Sequence, residues 1–139
     1  MALSAGRDTK KRSGDRLNLG VAADTVCYAG GLAAIDANGD ATPGATATTL
    51  KGAGRFPETV SNAGGDAGDK RVEIEKGIFL FDNSADDDEI TTAEIGDTCY
   101  IVDDETVAKT DGDSGGGATR SAAGTVFDVD ATGVWVKFD

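Results

Sequence analysis

The stretch Arg71-Val72-Glu73-Ile74-Glu75-Lys76-Gly77-Ile78-Phe79-Leu80-Phe81-Asp82 decides the fold class. In Val72–Glu75 the two aliphatic side chains fall on one face of an extended chain and the two acids on the other, the period of a half-buried strand. Ile78–Phe81 is apolar on both faces, which predicts a strand that is central or covered on both sides. Near the C-terminus the pattern returns: Val134, Val136 and Phe138 share one face, and Trp135 and Lys137 share the opposite one. Outward from these segments the chain continues as short apolar runs separated by Gly, Asp, Asn and Ser, the sequence form of an all-β domain. Strands are expected over 24–29, 31–37, 48–56, 71–76, 78–81, 97–102, 106–110, 125–129 and 134–138. Asn38-Gly39 is the strongest hairpin signal, and Asp103-Asp104 marks a second turn. Residues 61–69 and 111–118 read as Gly- and Asp-rich loops, and 91–95 as a single helical turn.

Three pairs of segments match in the same order. Asp24-Thr25-Val26-Cys27-Tyr28 pairs with Asp97-Thr98-Cys99-Tyr100, and Lys51–Phe56 with Arg120–Phe127. Gly77–Asp82 pairs with Gly133–Asp139. The order predicts a duplicated β-unit, with an approximate repeat over 23–82 and 96–139. Two such units, neither able to close a core alone, are expected to form one compact β-barrel or β-sandwich.

Length and charge add an asymmetry. The 139 residues fit one domain, and 39% hydrophobic residues with only 6% aromatics imply a thin core. Such a core leaves room for stabilisation by neighbours in an assembly. The formal charge is −12. Residues 1–16 hold five bases (Arg7, Lys10, Lys11, Arg12, Arg16) against two acids, a net +3, and the remainder has eight bases and 23 acids, a net −15. Residues 1–18 are polar and aperiodic and read as an extended basic arm, followed by a β-domain over 19–139. Arm and body are expected to meet different surroundings, and the acidic body repels nucleic acid and anionic lipid. No apolar run approaches the roughly 18 residues needed to cross a bilayer. The N-terminal charge is followed by no apolar stretch of the signal-peptide kind. These features predict a soluble protein made in a cytoplasm, with no membrane partner.

The residues offer little for catalysis. The chain has no histidine, which removes the commonest general base and metal ligand. Paired carboxylates need a pocket that drives their pKa values apart, whereas these acids lie mostly in turns. No enzyme activity, catalytic residue, metal site or cofactor is expected. Asp36-Ala37-Asn38-Gly39-Asp40 fails as a calcium loop, because the sixth and twelfth positions are Ala41 and Ala47 instead of Gly and Glu. It reads as a hairpin turn. Asp86–Glu89 reads as a solvated charge run, and Asp113-Ser114-Gly115-Gly116-Gly117 lacks the ending of a phosphate loop. Cys27 and Cys99 read as two small buried hydrophobes in matching positions. The arm has no interleaved aromatics for stacking on bases, so it is expected to dock on an acidic protein surface and not on nucleic acid. Two readings of Trp135 stand side by side: cover for the second side of the core, or an interface anchor beside Lys137.

Several segments together resemble the small head proteins of Mu-like and other tailed phages. They are Met1–Ser4 with Arg7–Arg12, Ala22–Leu32, Gly96–Asp104, Val107–Thr110, Arg120–Gly124 and Gly133–Phe138. The likeness spans nearly the whole chain in order, although its motifs are turn and strand patterns. The resemblance implies a capsid decoration (cement) protein. Such a protein is a β-domain on the outside of an icosahedral head, commonly a homotrimer, that clamps neighbouring major capsid subunits. The basic arm, with Arg7, Lys10, Lys11, Arg12 and Arg16, would be its strap. Asp86–Glu89, Asp111 and Asp113 make this chain more acidic than that family's pattern. The alternative is a receptor- or glycan-binding β-module of a tail fibre or adhesin, with Trp135, Tyr28 and Tyr100 as stacking residues.

Overall fold

The computed structural model describes all residues, Met1–Asp139. The protein is all-β, with twelve strands and two single turns of 3₁₀-helix, Asp86–Asp88 and Thr92–Glu94. The strands are β1 (Arg16–Gly20), β2 (Val26–Cys27), β3 (Leu32–Ile35), β4 (Ala41–Pro43), β5 (Lys51–Arg55) and β6 (Val60–Ser61). They continue as β7 (Arg71–Glu75), β8 (Gly77–Asn83), β9 (Thr98–Ile101), β10 (Thr106–Ala108), β11 (Ala122–Asp130) and β12 (Gly133–Phe138). The local signals act as expected at the turns. Asp36 Oδ1 accepts the backbone N–H groups of Asn38 and Asp40 and so shapes the β3–β4 hairpin. Thr91 and Glu94 form a capping box on the second 3₁₀ turn.

The chain folds as two five-stranded units with the same wiring. β8–β12 form a closed barrel in the order β10-β8-β12-β11-β9, and β1, β3, β4, β5 and β7 form a sheet in the order β1-β7-β5-β3-β4. Counted within each unit, both orders run first, fifth, fourth, second, third. The barrel closes through parallel pairing of β8 with β10, and the first unit through a single parallel bridge, Val21 to Ala41. A small β2–β6 pair is added to the first unit.

The registers coincide as well. Ala33 pairs with Gly54 and Ala34 with Gly52, skipping Ala53. Cys99 pairs with Gly124 and Tyr100 with Ala122, skipping Ala123. The skipped alanines are both buried. Gly54 and Gly124 meet the same obstacle: a Cβ at Gly54 would lie 2.1 Å from the Glu75 carbonyl oxygen, and one at Gly124 would lie 2.5 Å from that of Lys137. Glu75 and Lys137 are in turn the residues opposite Arg55 and Thr125. The structural repeat therefore runs from β1 to β7 and from β8 to β12.

These boundaries differ from the sequence matches over 23–82 and 96–139. Only Lys51–Phe56 and Arg120–Phe127 fall on corresponding strands. Cys99 corresponds to Ala33 and not to Cys27, and β8 and β12 pair side by side in one barrel instead of occupying matching places in two. Strands of one barrel share the same inward alternation, so two neighbours can resemble each other as closely as two equivalents do. The arm is also shorter than 1–18. Arg16–Gly20 pairs along its whole length with β7, leaving residues 1–15 outside the sheets.

Each unit has its own core. Val21, Cys27, Phe56, Val72 and Ile74 fill the first, and Phe81, Ile101, Val126, Val134, Val136 and Phe138 fill the second. Each large aliphatic or aromatic side chain buried here contributes roughly 1.5–3 kcal/mol of transfer free energy. β3 joins the two units. Ala33 packs into the first core, and Leu32 and Ala34 pack into the second. Gly52 allows this close approach, since a Cβ there would sit 2.0 Å from the Ala123 carbonyl oxygen.

Candidate docking surface

The outer faces of the two units, not the cores, hold the contrast that bears on function. On the β1–β7 face, Arg16 donates to Glu73 at 2.6 Å and to Glu75 at 3.1 Å. Arg71 donates to the Asn18 side chain at 2.6 Å and to its carbonyl at 2.8 Å. The hydrogen bond to Glu73 is the main reason that the Arg16 guanidinium is held above its ordinary pKa. Arg16, expected among the free arm cations, is thus tied to the body. It anchors the arm and leaves Arg7, Lys10, Lys11 and Arg12 on the exposed segment.

The corresponding face of the barrel is apolar. The pairings of Leu17 with Ile74 and of Phe79 with Val136 set the equivalence. Ile78 then stands where Arg16 stands, Leu80 replaces Asn18, Trp135 replaces Glu73 and Lys137 replaces Glu75. Leu80 is directly opposite Trp135. Ile78 and Leu80 are 38% and 40% exposed. β8 is central, as its composition predicts, but it is not covered on both sides. Phe127, at the β11 bulge preceding Asp128, the residue opposite Trp135, is 54% exposed. Exposed apolar residues grouped in this way, unlike singly scattered ones, are a feature of interaction sites.

Trp135 is half-buried, and its indole N–H donates to Asp130 at 2.9 Å. That bond fixes the ring's polar edge, so Trp135 belongs to the outer face and not to the core. Hydrogen bonds from Thr132 and from Trp135 hold the Asp130 carboxyl below its ordinary pKa. Lys137 is exposed at the end of the strip, with Asp139 3.8 Å away. Asp82, next outward on β8 after Leu80, and Asp128 are exposed carboxylates, so the strip has an acidic rim.

Sequence reasoning found Trp135 and Lys137 but missed Ile78, Leu80 and Phe127 as members of the same surface. The signal is the two-sided apolar character of 78–81, which fits a central strand and a strand covered on both sides equally well. The other sequence features take structural roles. Asp88, in the acidic run, accepts from Thr110 at 2.6 Å and pairs with Arg120, which lowers its pKa, the Thr110 bond contributing most. Asp113 caps its own loop by accepting from the N–H groups of Gly115 and Gly117. Cys27 and Cys99 are free thiols in separate cores, and burial pushes each up to about 11. An open cleft of about 240 Å³, lined by Tyr28, Gly31, Asp104 and Glu105, lies where the two units meet.

Compared with family models, with curated proteins and with solved structures, the chain finds no match in any of the three.

Proposed function

We propose that this protein is a capsid decoration (cement) protein that binds the outside of an icosahedral phage head and reinforces contacts between major capsid subunits. The observation that carries this reading is the arm. Residues 1–15 lie outside the sheets, exposed throughout, and present Arg7, Lys10, Lys11 and Arg12. Arg16 fixes the root of the arm by its bonds to Glu73 and Glu75. A cationic segment of this kind, joined to a rigid acidic body, suits docking on carboxylates of a shell, with ordering on contact. Repeated on a symmetric shell in a homotrimer, individually weak arms add up by multivalency. The reinforcement is passive: added interface raises the barrier to rupture. The protein would then reside on the capsid exterior after synthesis in the host cytoplasm.

The test uses shells of the phage that encodes the chain. Stripped shells rebound with protein should retain DNA on heating or on EDTA treatment better than bare shells. Replacing Arg7, Lys10, Lys11 and Arg12 by Glu should reduce shell binding at least tenfold while leaving the circular dichroism unchanged. Equal DNA retention with and without the protein would remove the cement role.

The alternative, a receptor- or glycan-binding module, draws support from Tyr28, which is 59% exposed at the cleft beside Asp104 and Glu105. Cryo-EM of the particle separates the two, with density over the head for the first and on the tail for the second.

A further inference from the structure

We propose that the apolar strip on β8 and β12 is the docking site for the Met1–Leu3 segment of a second copy's arm. The strip is formed by Ile78, Leu80, Trp135 and Phe127. The repeat shows that this surface is not imposed by the fold, because the same positions of the first unit carry Arg16, Asn18 and Glu73 and are satisfied internally. The barrel groups two aliphatics and two aromatics on its outer face, and grouped apolar residues, unlike singly scattered ones, point to an interaction site.

The occupant follows from the apolar and charged groups that remain exposed. Met1 and Leu3 are the large apolar side chains of the arm, and both are exposed, Leu3 at 73%. The charges fit too. Asp82 and Asp128 rim the strip, and Arg7 follows Leu3 by four residues, about 13 Å of extended chain. With Leu3 seated on the strip, Arg7 reaches the rim carboxylates, and Lys10, Lys11 and Arg12 remain for another surface.

A neighbouring copy suits the arm's length better than the arm's own body does. The Asp15 carbonyl accepts the N–H of Lys76, one residue before β8 begins, so the arm is rooted beside its own strip. Leu3 lies twelve positions before Asp15, about 40 Å of extended chain. Docking in cis would require the arm to double back, whereas a partner can be met with the arm extended. The inference concerns copies of this chain in solution and does not depend on the shell, so it can fail while shell binding holds.

Sedimentation velocity of the full chain over a concentration series, with emission of Trp135, the chain's single tryptophan, provides the test. The wild type should associate reversibly, with a Trp135 emission shift that follows the association and weakens in high salt. Leu3→Asp and Leu80→Asp should each weaken association at least tenfold. An equimolar mixture of these two variants should recover a heterodimer, because one retains the strip and the other the arm segment. A synthetic peptide of residues 1–12 should shift Trp135 emission of the wild-type chain saturably, and its Leu3→Asp version should not, which removes dependence on how Leu80→Asp folds. A wild type that stays monomeric, or an emission shift that is independent of concentration (docking in cis), would overturn the proposal. So would association that leaves Trp135 and both variants unaffected.

Discussion

The two units of this protein agree inside and differ outside. Their strand orders match, the skipped residue falls at Ala53 in one and Ala123 in the other, and Gly54 and Gly124 each face a carbonyl that leaves no room for a side chain. On the outer face, Arg16, Asn18 and Glu73 in the first unit give way to Ile78, Leu80 and Trp135 in the second. The comparison separates two demands on the sequence. Inward positions and close approaches specify the barrel, and they tolerate little variation. Outward positions are free of that demand, and it is there that the two units have diverged. One unit closes its outer face with its own ion pairs and roots the arm there, and the other leaves an apolar face open.

The strongest way to break the equivalence is at its glycines. Gly54→Ala forces a Cβ against the Glu75 carbonyl at a residue whose φ is +149°, so clash and backbone strain add. The expected loss is about 4 kcal/mol or more, in the range reserved for severe local conflicts. Gly124→Ala meets the Lys137 carbonyl, and its loss should be smaller, about 2–3 kcal/mol. Urea denaturation of both variants checks the pair. If Gly124→Ala is as stable as wild type, the shared register does not impose the same constraint on both units.

The same comparison explains what the sequence could and could not reveal. The inward faces of β7 and β12 were legible because Val72 and Ile74, and Val134, Val136 and Phe138, alternate with polar or aromatic neighbours over enough residues to fix the period. The β3–β4 hairpin was legible because Asn38-Gly39 with Asp36 is local chemistry. β1 was not, because Leu17 and Leu19 are only two alternating residues beside a charged run, and the strand exists through β7, 57 residues away from Arg16 at Glu73. The strip was half legible: Trp135 and Lys137 showed on a polar-facing alternation, but Ile78 and Leu80 could be outer-face residues only if nothing covered β8. Whether a second apolar face is covered depends on tertiary packing, and strand period does not encode it.

Cysteine chemistry tests whether the two cores act as one. Each core buries one thiol, Cys27 in the first and Cys99 in the second, with burial pushing both up to about 11. At pH 8 only about one thiol in a thousand would be ionised, and access is blocked as well. A thiol reagent such as DTNB should therefore label neither residue in the native protein over hours and both on unfolding. Because β3 places Ala33 in one core and Leu32 and Ala34 in the other, the two thiols should become reactive in a single step as urea is raised. Labelling of Cys27 well before Cys99 would mean that the first unit, closed by the single Val21–Ala41 bridge, opens on its own.

The smallest effect concerns the outer face of the barrel alone. Thr132 and the Trp135 indole both donate to Asp130, and these bonds favour its ionised form, so its folded pKa lies below the ordinary value of 3.8. A depressed carboxylate pKa contributes stability that is present above the unfolded value and is lost as pH falls through the folded one. Trp135 emission should hold steady from pH 7 to about 4 and then change with a midpoint below 3.8, while the far-ultraviolet circular dichroism persists. Asp130→Asn keeps a carbonyl acceptor for the indole but cannot titrate, so its emission should stay flat through the same range. A midpoint at or above 3.8 would show that the indole is not held by this carboxylate. The chain's single tryptophan therefore reports the protonation of Asp130.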